Sequence, residues 1–181
     1  MRSNSVFVLL ILIAFFSICN AQPSLSGRIV SWGLDDYGQV SQTPDQLISS
    51  VSAGHKYSMA LDVNGKLIAW GYDGYAQVSN IPDGSFKDIS AGAWNGLALT
   101  SENTIVGWGR DTHGQVSNIP VGTFSGISAG MLHHLALRTD GSIAAWGKNY
   151  YGRVSDTPEG VFSDISAGSY HNLALQSDGS V

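Results

Sequence analysis

Residues 65–102 read GKLIAWGYDGYAQVSNIPDGSFKDISAGAWNGLALTSE. The same 38-residue frame fits on either side without a gap, giving units Gly27–Asn64, Gly65–Glu102, Asn103–Asp140 and Gly141–Asp178. Trp-Gly returns at Trp32, Trp70, Trp108 and Trp146. Ser-Ala-Gly returns at Ser52, Ser90, Ser128 and Ser166, and a proline at Pro44, Pro82, Pro120 and Pro158. Ala-Leu follows at Ala60, Ala98, Ala136 and Ala174. A period of this length marks a solenoid, a propeller or an array of small units.

Within a unit the runs are short and rich in β-formers. The first expected strand is Ile29 to Trp32, or Leu67 to Trp70 one unit on; Gln39 to Ser41 is a brief second; Phe86 to Ser90 a third; Gly96 to Leu99 a fourth. Pro44, Pro82 and their counterparts sit in turns, where proline presets φ. Asn64-Gly65, Asp140-Gly141 and Asp178-Gly179 stand where a type I′ hairpin turn belongs, with both central residues at positive φ. Asn103 takes the glycine's place in the third unit, a position asparagine tolerates. No stretch carries helical periodicity over a useful length. The expected fold is therefore all-β, a β-propeller of four-stranded repeats. A repeated tryptophan after a small residue (Ser31, Ala69, Gly107, Ala145) reads as a shared core anchor where units pack closely.

The first 21 residues have another character. Arg2 precedes an unbroken apolar run from Val6 to Phe16, then small residues through Ala21. This is the layout of a secretory signal peptide cleaved after Ala21, and it is short of the roughly 20 apolar residues of a membrane span. Residues 22–26 are a short linker and 27–181 the repeats. Cleavage removes the one cysteine, Cys19, so the expected secreted chain enters an oxidising compartment with no disulfide to form. The chain carries nine Lys and Arg against fourteen Asp and Glu, with no basic run, which argues against nucleic acid and anionic membrane surfaces.

These columns resemble the regulator-of-chromosome-condensation repeat, whose units show Trp-Gly, a polar residue, Gly-Gln, then Ala-Gly, a His and Leu-Ala-Leu. Asp73 and Gln77 after Trp70-Gly71 fit the first half, and Ala167 to Leu175 the second. Gly38-Gln39-Val40 with Pro44 is most similar to the secreted bacterial branch that includes extracellular β-lactamase-inhibitory proteins. The resemblance implies a seven-bladed ring, of which four units are a fragment; a closed four-bladed ring is the alternative. Ala76 departs from the glycine column, Arg153 from the glutamine, and Tyr57 and Asn95 from the histidine.

In an up-and-down sheet, turns alternate between its two ends. The loops after strands one and three then share one face, and they vary between units, as functional loops on a repeated scaffold do. The first holds Tyr37, Tyr75, His113 and Tyr151 in one column; the second holds Lys56-Tyr57, Trp94, Leu132 and Tyr170. Tyr and Trp are typical interface anchors, so these nine residues are the expected binding set. In the inhibitory branch, the residue two after Ala-Gly lines the partner face, which implies Trp94 and Tyr170; Lys56 and Leu132 depart from the aromatic habit there. A repeated packing role is the bland alternative for the tyrosine column, and a structural hydrogen-bonding role for His133 and His171.

Enzyme signatures are poor: no Gly-x-Ser-x-Gly elbow, no P-loop and no zinc-binding spacing. Asp35, Asp36 and Asp111 read as turn caps rather than acids. No cofactor or metal is expected. The favoured reading is a secreted protein-binding module. A secreted hydrolase or lyase, a guanine-nucleotide exchange factor and a bare structural repeat are the other readings.

Overall fold

The computed structural model describes residues 26–177; the expected signal peptide, most of the expected linker, Asp178 and the expected start of a fifth unit lie outside them. The described chain is all-β. Eleven strands form a series of antiparallel meanders. The first sheet is β1 (Ile48–Ala53), β2 (Tyr57–Asp62) and β3 (Leu67–Gly71). The second is β4 (Phe86–Ala91), β5 (Asn95–Thr100) and β6 (Ile105–Gly109). The third is β7 (Phe124–Ala129), β8 (His133–Arg138) and β9 (Ile143–Gly147). β10 (Phe162–Ala167) and β11 (Asn172–Gln176) make the fourth. Each sheet is a propeller blade, and β1, β4, β7 and β10 follow one another around the axis.

A blade does not coincide with a sequence unit. Its third strand, which carries Trp70, Trp108 or Trp146, opens the next unit. Ile29 to Trp32 has the same composition yet forms no strand, and only Gly27 pairs, with Ile48. The strand that its counterparts pair with belongs to the preceding unit. Trp32 is 83% exposed, whereas Trp70, Trp108 and Trp146 are 4–6% exposed.

Among the described residues the first three blades have three strands rather than four, and the fourth shows two. The column expected as a second strand, Gln39 to Ser41, is a turn. Asp35 Oδ1 accepts from the N–H groups of both Val40 and Ser41, and Asp73, Asp111 and Asn149 do the same for Val78-Ser79, Val116-Ser117 and Val154-Ser155. Donors taken by a side chain are lost to a ladder.

The hairpins also differ from type I′. Gly65 N–H donates to Asp62 O and Asp62 N–H to Lys66 O, with positive φ at Gly65, Asn103 and Gly141 but not at Asn64 or Asp140. This is the three-residue loop with a bulge at the left-handed residue.

The core lies between neighbouring blades. Tyr57, Met59 and Leu61 of the first pack on Phe86, Ile89 and Trp108 of the second. Leu97 and Leu99 of the second pack on Phe124, Ile127 and Trp146 of the third. Each buried indole satisfies its N–H on a glutamine carbonyl: Trp70 on Gln39, Trp108 on Gln77 and Trp146 on Gln115. Polar stitches join the blades as well. The Oγ atoms of Ser52, Ser90 and Ser128 accept from Ala91, Ala129 and Ala167 N–H, each at 2.9 Å. Tyr57 Oη donates to Asn95 O, Asn95 Nδ2 to His134 Nε2, and His133 Nε2 to Asn172 Oδ1.

Candidate functional site

The loops after Trp-Gly are held from inside. In the first three units the glutamine carboxamide accepts the N–H two residues back: Gln39 from Tyr37, Gln77 from Tyr75 and Gln115 from His113. With the aspartate above, each turn backbone is fixed at both ends, and the remaining side chains are free to point outward. In the fourth unit Arg153 replaces the glutamine. Its guanidinium donates instead to Lys148 O and Ser169 O. Tyr151, whose N–H has no such carboxamide, lies at φ 60° and is 77% exposed against 41% for Tyr37 and Tyr75.

The two loop families share one face, as the strand alternation requires. Tyr72 N–H donates to Lys56 O, Arg110 N–H to Trp94 O and Lys148 N–H to Leu132 O. The first loop of each unit thus rests on the second loop of the unit before.

Two aromatic groups result. In the first, the Tyr72 ring lies between Tyr37 and Trp94, with centroids 4.9 and 5.5 Å away. Trp94 also meets Tyr75 at 5.8 Å and His55 at 4.7 Å. Lys56 Nζ lies 4.8 Å from the Tyr37 centroid. In the second, Tyr151 meets Tyr150 at 4.9 Å and Tyr170 at 6.4 Å. His113 is exposed between the groups. Trp94 and Tyr170 both reach the rim of a cavity of ≈ 530 Å³, walled by the Ala-Gly pairs that end β1, β4, β7 and β10.

Of the nine expected residues, Tyr37, Tyr75, Trp94 and Lys56 meet in the first group, and Tyr151 and Tyr170 in the second. Leu132 is half-buried and serves by its carbonyl. Tyr57 is a correction: it is 1% exposed, its ring is in the core between two blades and burial pushes its hydroxyl pKa up. No partner reaches it. Tyr72, His55, Tyr150, Arg110 and Lys148 were absent from the expected set. Tyr72, Tyr150, Arg110 and Lys148 belong to the same first loop as the tyrosine column, and His55 to the second, so only the inter-loop register was needed to find them.

The chemistry on this face is that of contact. Asp35 and Asp111 spend a carboxylate oxygen on the turn backbone, as expected of caps, and Asp73 does the same, whereas no such bond is made by Asp36, which is exposed. His133 is buried and bonded to Asn172, the structural role expected of it. Among the described residues, no three His, Cys, Asp or Glu side chains gather where a metal ion would be held.

Residues 86–115 and 124–153 match the regulator of chromosome condensation (RCC1) repeat. Both matches start at the first strand of a blade and end at the glutamine or arginine of the following turn, Gln115 and Arg153. The fold defined here is an RCC1-like β-propeller. Among solved structures, the ectodomain of the receptor kinase CR4 from Physcomitrella patens is similar at 25% identity and a TM-score of 0.70, over 81% of this chain and 43% of that one. The CRINKLY WD40 ectodomain of the Arabidopsis thaliana receptor kinase ACR4 is similar at 22% identity and a TM-score of 0.62, over 77% and 50%. Prp20p from Saccharomyces cerevisiae, described with its binding to Gsp1p and histones, is similar at 16% identity and a TM-score of 0.65, over 82% and 52%. The chain therefore spans about half the length of these structures. No curated protein matches it.

Proposed function

We propose that this chain is a secreted, non-catalytic propeller module that binds a protein through its loop face. One observation carries the reading: two aromatic groups border one axial cavity, the first on turns locked by their own Asp and Gln side chains and the second on a turn held by Asn149 and Arg153. Rigid aromatic anchors on a fixed scaffold lose little freedom on binding. This is the kind of face implied by the resemblance to the secreted inhibitory branch. The occupied Asp35, Asp73 and Asp111 carboxylates weigh against a hydrolase or lyase using them as acids.

The test is affinity capture from the medium in which the chain is secreted, with wild type, Trp94→Ser and Tyr170→Ser side by side. A protein retained by wild type and lost from both variants is the expected result. Equal retention by all three overturns the reading. Secretion is checked by N-terminal sequencing of the exported chain, expected to begin at Gln22.

A further inference from the structure

The loop face concentrates cations that have no anionic partner. Lys56, Arg110 and Lys148 lie over the rings of Tyr37, Tyr75 and Tyr150 at 4.8, 5.1 and 5.0 Å, and Arg153 lies 5.8 Å from Tyr170. Among the described residues there is one ion pair, Arg28–Asp45, and it involves none of these four. Asp35, Asp73 and Asp111 of the same loops are bonded to backbone N–H groups and stay ionised, while Asp36 is exposed beside Tyr37, so the unopposed cations are those around Arg110 and Lys148. Partial desolvation, and then the charges of Lys148, Arg110 and Arg153, hold the His113 pKa below its usual range. All this occurs on a chain with a net charge of −5, so the patch does not follow from bulk composition.

We propose that the loop face receives an acidic, protruding loop of a protein partner, whose carboxylates meet Arg110 and Lys148 while an apolar side chain at its tip enters the axial cavity. The proposal rests on the reading of this face as a protein-binding site. The complementarity is of charge and shape together. A cation laid on a tyrosine is attracted by the ring face and keeps its N–H donors outward, so less side-chain freedom is lost when a carboxylate arrives. Arg153, buried and bonded to two carbonyls, adds positive potential from beneath. The cavity of ≈ 530 Å³ has walls of Ala methyls and glycine backbone, with Trp94, Met131 and Tyr170 at its rim, a setting for one apolar side chain. Four cations separated by aromatic rings suit a short peptide rather than a sulfated polysaccharide, which favours a continuous basic track.

The experiment is selection of short disulfide-cyclised peptides from a random phage-displayed library on the full chain. Selected peptides are then measured against wild type, the double variant Arg110→Gln/Lys148→Gln and Trp94→Ala. The expected peptides carry Asp or Glu on both sides of one apolar residue. They weaken about tenfold from low to moderate salt and about tenfold in the double variant, and are lost in Trp94→Ala. Neutral or basic peptides that are unaffected by the double variant but lost in Trp94→Ala overturn the acidic chemistry and leave the binding face standing. Peptides that bind all three proteins equally, or no selected peptide at all, overturn both. Heparin binding more tightly than any selected peptide overturns the protein-loop assignment in favour of a polyanion.

Discussion

Ala76 holds φ at 58°, where its counterparts Gly38, Gly114 and Gly152 hold 80°, 74° and 74°. A Cβ in the left-handed region costs roughly 1–2 kcal/mol, partly offset by the freedom glycine has in the unfolded chain. Ala76→Gly is therefore expected to stabilise the protein by about 0.5–1 kcal/mol, read as a higher urea midpoint; a lower midpoint refutes the argument. This departure was visible in the sequence as a gap in a glycine column. Tyr57 was not legible in the same way. A tyrosine in a variable loop column looks like a contact residue, and only the arrival of the next blade, with Asn95 O as its hydrogen-bond acceptor, buries it. The deciding neighbour stands 38 residues away.

For elements, the β-branched residues misled at one place and served elsewhere. Val40-Ser41 has strand composition, yet Asp35 takes both N–H groups and turns the backbone. Composition reports what a segment tolerates; a side chain five residues earlier decides what it does. The aspartate was legible as a cap, but that the cap abolished a strand was not. Asp73→Ala is expected to cost about 1–3 kcal/mol by stranding Val78 and Ser79 N–H and to loosen the Tyr72–Tyr75 loop. Asp73→Asn is expected to cost much less, because Asn149 makes the same two bonds in the fourth unit. Chemical denaturation of the two variants decides it: equal losses would mean that charge, not geometry, holds the turn.

In the whole molecule, each blade is bound to the next by a serine stitch and a Tyr, Asn or His side-chain bond, with an apolar face joining the first three. Stability then accumulates from nearest-neighbour terms. Ser90→Ala leaves the Ala129 N–H without its acceptor between the second and third blades, and about 1–3 kcal/mol is the expected loss; an unchanged thermal midpoint refutes it. The repeat period and the propeller were legible from the sequence alone. Where a blade begins was not, because a periodic sequence has no phase until pairing sets one.

His134 adds a pH dependence at the same interface. Burial first, then the adjacent His133, lowers its pKa from 6.5 to about 3. Above pH 6.5 both folded and unfolded chains hold a neutral ring and the full stability is present. As the pH falls from there toward 3, the unfolded ring takes a proton that the folded one refuses, and stability drops by up to about 1.4 kcal/mol per pH unit. His133 shifts in the same direction. The thermal midpoint is expected to fall between neutral pH and pH 4, and to fall less steeply in His134→Gln. Parallel pH profiles for the two proteins would sink this assignment.

The turns after Trp-Gly carry their own fastening, an acid or amide at one end and, in the first three units, a glutamine at the other, each bonded to the turn backbone. Of the three letters between them in those units, only the one at positive φ still owes the fold anything. Such a chain can rewrite what it recognises by exchanging short cassettes among its own repeats, leaving the chassis untouched.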